Sequence, residues 1–254
     1  MSISSALVAA QGRVADAYTA ISNKGGTLPA TQNLANMPTA INSIPSGGST
    51  GKYQLLDRVK DDNNNEIGTV SGFFTDANDV EYAVVCLDAV YRMKNSDWCS
   101  NTGNVTDMPV YNFSNQTSWY EATETATENT QLILDYCTAN GYTSSACSHC
   151  RSQSFTVDGV TYLGQLPNMK ELFDMWSHRT QINQLDTSAS SHSSTSFGTI
   201  QRQIWSSTQG ASGAWCFFNT RGWLGEYGDG CITTLGKTTQ GSMCTFPVLE
   251  IPNS

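Results

Sequence analysis

The chain has 254 residues, of which 39% are apolar and 10% aromatic, which is enough to fill a sizeable core. Charged residues make up only 14%, against roughly 25% in typical globular chains, so neutral polar residues and Gly must cover much of the surface. The formal net charge of −9 excludes the strongly basic surface that binds nucleic acid or anionic membranes. We therefore expect neither as a partner.

The N-terminal stretch MSISSALVAAQGRVADAYTA has no basic start, and its apolar run ALVAA is too short for a secretory core or a membrane span. We therefore expect synthesis in a cytoplasm and no membrane insertion. A chain of this length also needs no disulfides to be stable. The eight cysteines are accordingly expected to be free thiols.

Apolar residues near the N-terminus recur at alternating spacings of four and three, which predicts a helix over roughly Ser4 to Asn23. The repeating residues are Ile3, Leu7, Ala10, Val14, Ala17 and Ile21. Such a seam favours self-association, with packing against the same domain as the alternative. Because the Gly-rich stretch SGGSTG at 46–51 is typical of a linker, we divide the chain into an N-terminal helical oligomerisation segment, 1–50, and a domain, 51–254.

Beyond the linker, runs rich in β-forming residues predict a meander of strands separated by polar turns. These runs are YQLLDRV (53–59), EIGTVSGFFT (66–75) and EYAVVCLDAVYR (81–92). A helix is predicted within 118–142, ended by Gly141, and a second within 166–182, after which residues 200–251 form short strands. The predicted fold class is α+β, with two helices against short, mostly antiparallel strands.

Candidate metal and catalytic motifs are weak. Cys147 and Cys150 have zinc-ligand spacing but no second cysteine pair, although Cys137 is a possible neighbour. The stretch DDNNNE at 61–66 lacks the Gly and the distant Glu of a calcium loop, so we interpret it as a hairpin turn. His178 is interpreted as a cation at a helix end. We expect no catalytic residues, no metal and no cofactor.

Three motifs carry a family resemblance: LPNMKEL at 166–172, IWSST at 204–208 followed by Ala214–Trp215, and FPVLEI at 246–251. In their order along the chain they resemble the variable proteins of diversity-generating retroelements. The best-known members are phage tail receptor-binding proteins with a C-type-lectin-like fold, related to formylglycine-generating enzymes. Separately, residues 17–45 are similar to a segment near the start of tail proteins of phages that infect gut bacteria.

The resemblance implies a hypervariable binding face near residues 202–231, where codons are rewritten at template adenines. Codons of that type do not encode Trp, Gln or Glu, so Trp205, Gln209, Trp215, Trp223 and Glu226 are expected to be scaffold or fixed contacts. Trp205 and Trp215 are expected to be buried beneath the site. Trp223 is expected to be a fixed contact exposed at the site together with Tyr227. The candidate ligand-binding residues are Ile204, Gly210, Ser212, Gly213, Cys216, Phe218, Thr220, Arg221, Gly222, Trp223, Leu224, Tyr227 and Asp229.

The segment between 203 and 230 crowds aromatic residues among Gly, Ser and Thr, which is typical of an adaptable binding surface. The resemblance then implies a non-enzymatic adhesin of the phage tail, located in the virion, that binds a bacterial surface receptor, either protein or glycan. It also implies contacts with other tail proteins and a homo-oligomer, favouring a trimer. The alternatives are a structural decoration or assembly protein of the virion and a formylglycine-generating type of oxidase.

Overall fold

The computed structural model describes residues 14, 17–18, 29–42, 51–111, 124–192, 203–210, 213–218, 231–238 and 243–254. The chain forms two compact units, Met1–Gly51 and Lys52–Ser254. The described helices are α1 (Met37–Asn42), α2 (Ala126–Asn140), α3 (Ser145–Ser152), α4 (Met169–Ser177) and α5 (Arg179–Leu185). The strands are β1 (Arg58–Lys60), β2 (Glu66–Thr75), β3 (Glu81–Leu87), β4 (Met93–Lys94), β5 (Val110–Tyr111), β6 (Ser154–Val157), β7 (Val160–Leu163), β8 (Gln203–Gly210), β9 (Ala214–Phe218), β10 (Cys231–Leu235), β11 (Met243–Thr245) and β12 (Val248–Pro252).

The first unit contains a small apolar cluster of its own. Tyr18 and Ala40 are buried in it, and Val14 and Met37 pack against them. The Tyr18 hydroxyl donates a 2.8 Å hydrogen bond to the carbonyl of Asn33. Val14, which the sequence assigns to the self-association seam, therefore contacts its own unit, in agreement with the alternative interpretation of that residue. Four other seam residues, Ile3, Leu7, Ala10 and Ile21, lie outside the described residues.

The first sheet of the second unit has the strand order β1-β2-β3-β12, and all its pairings are antiparallel. The bounds of β2 agree with the predicted run at 66–75. The run at 81–92 is shorter than predicted, because β3 ends at Leu87 and Ala89–Tyr91 forms a 3₁₀ turn. There the backbone N–H of Ala89 bonds to the Asp186 carboxylate at 2.7 Å instead of a strand partner.

Helix α2 begins and ends with strong local signals. Thr125 and Glu128 form a capping box, in which each side chain accepts a hydrogen bond from the other's backbone N–H. Gly141 follows the helix at φ 70°, a left-handed conformation that costs Gly little. The prediction that Gly141 ends this helix is confirmed. Residues 112–123, in which the predicted helix begins, lie outside the described part of the chain.

The predicted single helix within 166–182 is two helices, α4 and α5. A second capping box, between Asn168 and Glu171, starts α4 directly after Pro167. His178 interrupts the helix with φ −105° and ψ 12°, and its Nδ1 lies 2.9 Å from the Asp174 carbonyl. His178 thus occupies a helix end as predicted. The apolar stripe also faces inward, because Leu166, Met169, Leu172 and Trp176 are buried.

The second sheet has the order β10-β9-β8-β11-β4, and β5 pairs with β8 beyond this path. Strand β8 is antiparallel to β9 but parallel to β5 and β11. Helix α4 contributes Met169 and Leu172 to a core cluster that includes Phe74 of the first sheet and Ile204 of the second. The predicted α+β class is confirmed. Among the described ranges, no helix is long and apolar enough to cross a membrane.

Candidate ligand-binding face

The predicted binding residues lie on, or between, three neighbouring strands of the second sheet. Phe218, the last residue of β9, pairs with Gln203 of β8 on one side and with Cys231 of β10 on the other. Residues 219–230 therefore join, along the chain, two positions that are paired with each other. We call residues 219–230 the β9–β10 connection. Its two ends are fixed in register next to the start of β8.

Other predicted residues lie at the opposite end of these strands. Gly210 and Gly213 close the β8–β9 turn, where the Gly210 N–H donates to the Gly213 carbonyl at 2.8 Å. Both glycines are buried. At 3.4 Å per residue, Gly213 and Phe218 are about 17 Å apart along β9. The predicted face is therefore split between two ends of the sheet, rather than gathered at one end.

Several predicted residues have no described side chain. Cys216 and Phe218 lie on β9, of which the structure describes the backbone. Trp215, expected to be buried, is on the same strand. The others lie outside the described residues, and they are Ser212, Thr220, Arg221, Gly222, Trp223, Leu224, Tyr227 and Asp229.

Ile204 is a core residue, so its prediction as a ligand contact is wrong. Its exposed fraction is 0%, and it belongs to the cluster formed by Met169, Leu172 and Phe246. The physical reason is that β8 is an inner strand of the sheet with helices packed against it. The codon argument admits Ile at a variable position but carries no information about burial, which decides whether a side chain can reach a ligand.

Trp205 is buried, as predicted, with an exposed fraction of 0%. Its indole Nε1 donates a 3.0 Å hydrogen bond to the Ser96 carbonyl. Trp98 makes a reciprocal bond, because its Nε1 donates to the Ser206 carbonyl at 2.9 Å. The segment before α2 is thus tied to β8 by two buried indoles. Trp98 was not predicted to be a structural residue. The signal that could have identified it is a large aromatic side chain within a polar loop.

Gln209 is the centre of a buried polar network. Its Oε1 accepts hydrogen bonds from the Val105 N–H at 2.6 Å and from Lys237 Nζ at 2.7 Å. Its Nε2 donates to the carbonyls of Val105 and Met108 at 3.3 and 3.4 Å. Gln209, which is expected to be scaffold or a fixed contact, is completely buried. A single side chain therefore anchors both the 105–108 segment and the turn that contains Lys237.

Lys237 is buried, although sequence reasoning gave it no role. Besides Gln209, its Nζ bonds to the Gly103 carbonyl at 2.7 Å and to Asn104 Oδ1 at 3.3 Å. The ammonium also lies 4.8 Å from the centre of the Trp98 ring. Burial lowers the pKa of Lys237 to about 8, while nearby Cys99 raises it. The oxygen acceptors and the ring offset part of the cost of burying the amine.

The motif SST at 206–208 is buried and hydrogen-bonded to neighbouring elements. The Ser207 N–H donates to the Pro167 carbonyl at 2.7 Å, and Thr208 Oγ1 accepts from the Met169 N–H at 3.0 Å. These two contacts place the first turn of α4 against β8. Asn129 of α2 adds a 3.4 Å bond to the Ser207 hydroxyl. The base of the candidate face is thus fixed by hydrogen bonds from two helices.

A pocket of about 660 Å³ is lined by the segment before β5 and by residues of α2 and α3. Its lining residue Pro109 precedes β5, which pairs with the Gly210 end of β8. The Arg151 guanidinium in this wall donates to Gln131 Oε1 at 3.0 Å. Sequence analysis did not predict this pocket, since its lining comes from separate segments. The lining residues are Asp107, Pro109, Glu124, Thr127, Glu128, Gln131, Leu132 and Arg151.

The weak metal motifs do not assemble into a site within the described ranges, where no group of three or more potential metal ligands occurs. Cys147 and Cys150 face the core from helix α3, which the sequence analysis missed. His149 contacts the Tyr91 carbonyl through Nε2 at 2.8 Å. Asp61 accepts bonds from the backbone of Asn65, and bonds from this residue lower the pKa of Asp61. The interpretation of 61–66 as a hairpin turn is thus confirmed.

The cysteines required as a close pair by the oxidase alternative lie on three different strands. Cys216 pairs with Thr233, Cys231 pairs with Phe218, and Cys244 pairs with Ile204, so none of the three is directly opposite another. The described cysteines Cys86, Cys99, Cys137, Cys147 and Cys150 are free and buried, and Cys244 is buried as well. Comparisons of the chain with protein-family models, curated proteins and solved structures give no match.

Proposed function

We propose that the chain is a phage tail receptor-binding protein whose β9–β10 connection binds a protein or glycan on a bacterial surface. The observation that carries this proposal is the register of the connection's ends. Phe218 and Cys231 are paired to each other, and Phe218 also pairs with Gln203 of the buried strand β8. A connection held in this way can change its side chains while both of its ends keep their hydrogen bonds.

The composition of the connection also supports the proposal. It contains Trp223, Tyr227 and Arg221, the residue types that contribute most often to binding hot spots. Gly and Asn between them provide adaptable hydrogen bonding with little side-chain entropy to lose. A net charge of −9 on the whole chain favours a receptor recognised by hydrogen bonds and aromatic stacking over an anionic polymer.

The hydrogen bonds described for β8 are made with segments other than the connection. Trp205, Gln209 and Thr208 bond to segments at 96–108 and 169, and none of these contacts involves residues 219–230. Replacement of the connection's side chains therefore leaves the described hydrogen bonds of β8 in place. This separation is what a C-type-lectin-like domain with a hypervariable face requires, and we propose that fold for the second unit.

The remaining parts of the proposal concern assembly. We propose that the N-terminal segment forms a homo-oligomer, as a trimer, and attaches the protein to other tail proteins in the virion. Several weak faces on one particle would then bind a cell together much more tightly than each alone. Leu7→Asp tests this seam more cleanly than a change at Val14, because Val14 packs within its own unit. Light scattering should show a mass reduced to that of the monomer.

The binding proposal is tested by the combined variant Phe218→Ala, Arg221→Ala, Leu224→Ala and Tyr227→Ala. Fluorescently labelled protein is applied to intact cells of a panel of gut bacteria, and binding is measured by flow cytometry. On a strain that binds the unmodified protein, we expect binding of the variant to be weaker by at least roughly 30-fold, since even one hot spot among the four residues contributes about 2 kcal/mol or more. The melting temperature should change by no more than roughly 4 °C.

The matched control is Val90→Ala, Val160→Ala and Leu163→Ala, which removes exposed apolar side chains of the 3₁₀ turn after β3 and of β7. It should bind as the unmodified protein does. If the combined variant melts more than 10 °C lower, its residues are structural. If it melts normally and still binds, the connection is not the binding face. If the unmodified protein binds no strain of the panel, a virion assembly role becomes the better explanation.

A further inference from the structure

Cys99 and Cys137 bring two thiols into contact in the second core cluster of the domain. Their Sγ atoms are 3.5 Å apart, although the residues are separated by 38 positions in sequence. Cys137 lies in the last turns of α2, and Cys99 lies in the segment that follows β4. Both side chains are buried, with exposed fractions of 0% for Cys99 and 3% for Cys137. A disulfide would require the sulfurs to approach by about 1.5 Å more.

Hydrogen bonds next to both residues hold this arrangement without help from the sulfurs. The Ser100 N–H donates to the Thr143 carbonyl at 2.7 Å, and the Thr143 N–H donates to Ser100 Oγ at 2.9 Å. The Tyr142 N–H donates to the Cys137 carbonyl at 2.8 Å. The backbone carrying Cys99 is therefore fixed to the chain that leaves α2. Approach of the sulfurs requires side-chain rotation rather than a rearrangement of the fold.

We propose that Cys99 and Cys137 are a latent disulfide that closes when the folded protein meets a small-molecule disulfide such as oxidised glutathione. The cross-link would join the end of α2 to the segment that carries Trp98. This inference is independent of the ligand-binding proposal. It assigns a covalent modification to two residues that the binding face does not use.

The reaction consists of two thiol–disulfide exchanges. The Cys99 thiolate attacks one sulfur of the small disulfide, which forms a mixed disulfide and releases one small thiolate. Cys137 then loses its proton, attacks the Cys99 sulfur and displaces the second small thiolate. In total, two protein thiols are oxidised and one small disulfide is reduced to two thiols, which take up the two protons.

The surroundings of Cys99 distinguish it from the other described thiols. Its Sγ accepts a hydrogen bond from the Asn101 N–H at 3.5 Å, and the thiol of Cys137 lies against it. These contacts lower the pKa of Cys99, with a further contribution from the Lys237 charge. By contrast, burial raises the pKa of Cys147 to about 12 and that of Cys86 to about 11. Cys99 is therefore the thiol best suited to attack.

Reagent access to Cys99 depends on the loop directly after it. Ser100, Thr102, Gly103 and Asn104 are exposed, so a local opening of this loop would uncover the buried sulfur. Cys147 and Cys150 lie instead within α3 and are completely buried. A cross-link between residues 38 positions apart removes chain entropy from the unfolded state and so stabilises the folded state. We expect a rise of roughly 10 °C in the melting temperature.

The test uses the full-length protein, reduced and then incubated under native conditions with oxidised glutathione. Remaining thiols are alkylated, the protein is digested without reduction, and linked peptides are identified by mass spectrometry. We expect a peptide pair joined through Cys99 and Cys137. A stable glutathione adduct at Cys99, a link between Cys99 and Cys147, or only alkylated Cys99 and Cys137 would each overturn the proposal.

Three variants provide an independent readout, the melting temperature before and after oxidation. Cys99→Ser and Cys137→Ser should each abolish the rise of roughly 10 °C. Cys147→Ser, in the same core cluster, should retain it. An equal rise in all three variants would show that another pair is responsible. Because the peptide analysis uses the unmodified chain, it decides the question even where a variant fails to fold.

Discussion

The two large sheets of the second unit are both buried, but they are stabilised in different ways. In the first sheet, Val70, Val85 and Leu249 are neighbours across β2, β3 and β12 and are completely buried among other apolar side chains. In the second sheet, β8 buries the polar stretch 206–209 with exposed fractions of 3% or less. An apolar side chain can pack against many different apolar partners, whereas a hydrogen bond requires a particular atom in a particular direction. The polar strand therefore fixes the geometry of the loops around the candidate face.

The largest effect is expected at the indole that joins β8 to the preceding segment. Trp205→Ala should lower the free energy of unfolding by about 4 kcal/mol, because it leaves a large cavity and removes the bond to Ser96. Trp205→Phe is the control, which retains most of the volume and should cost about half as much. Denaturant unfolding measures both. If the two variants are equally stable, the hydrogen bond rather than the packing of Trp205 dominates.

Gln209→Met keeps the side-chain volume but removes every polar contact of the network. It should cost about 3 kcal/mol, since the Val105 N–H and the Lys237 ammonium both lose an acceptor in a buried position. Adding Lys237→Met should recover part of the loss, because the unpaired cation is then gone. Equilibrium unfolding of both single variants and the double variant gives the coupling. If the losses of the two single variants simply add up in the double variant, Gln209 and Lys237 are not coupled, and the network is contradicted.

An exchange of isosteric residues compares the two sheets directly. Thr208→Val should cost about 1–2 kcal/mol, because the Met169 N–H at the start of α4 loses its acceptor. Val85→Thr in the first sheet should cost a similar amount for the opposite reason, namely a hydroxyl buried among apolar side chains. Thermal unfolding measures both changes. If Thr208→Val leaves the stability unchanged, the polar strand β8 does not depend on the hydrogen bonds of its side chains.

The smallest effect is the pH dependence that Glu171 gives to the free energy of unfolding. It is small at acidic pH and grows as the pH rises. This carboxyl is buried, and burial together with neighbouring Glu250 raises its pKa well above the ordinary value of 4.5. Glu250 accepts hydrogen bonds from the N–H groups of Ala126 and Thr127, whereas Glu171 Oε1 has no donor among the described residues. A buried carboxyl oxygen without a donor agrees with the raised pKa of Glu171, because the neutral form costs less to bury than the charged form.

The sign of the resulting pH dependence follows from proton binding. Above pH 4.5 the unfolded chain loses the Glu171 proton while the folded chain retains it, so the free energy of unfolding falls as the pH rises towards the folded pKa. Glu171→Gln removes an ionisable group and should flatten this dependence. Unfolding curves at several pH values above 4.5 measure the slope. A variant with the unchanged slope would show that Glu171 is not the titrating group.

Sequence patterns predicted elements that are defined by local signals. Of the predicted β-run at 53–59, only Arg58 and Val59 lie in a strand, because the chain turns at 55–56 before β1 begins. Strand β2 has its predicted bounds, and Gly141 ends α2 through its own left-handed conformation. Helix α3 was missed because SACSHCRS has little apolar periodicity, and its start depends on the Ser144 cap. The break between α4 and α5 at His178 was missed for a related reason, since the apolar stripe continues past it.

The candidate site was less predictable, since it depends on contacts between distant segments. Burial of Trp205 was predicted, and Gln209 was expected to be scaffold or a fixed contact, but their partners at Ser96, Val105 and Lys237 were not predicted. Ile204 was assigned to the surface because no local pattern distinguishes an inner strand that is buried on both faces from an exposed one. The distance of about 17 Å between Gly213 and Phe218, which corresponds to about five residues along the strand, likewise becomes known only once the strand register is known.

The measurement that tests the central claim most directly is sequencing of the DNA on either side of the gene. The account predicts a near-copy of the codons for residues 200–250 and a reverse transcriptase gene nearby. Differences should occur at template adenines and fall within codons 219–230, whereas the codons of Ile204, Trp205 and Gln209 should be identical in the two copies. Absence of such a copy, or differences concentrated in codons 204–209 of the buried strand, would contradict a variable face supported by a fixed base.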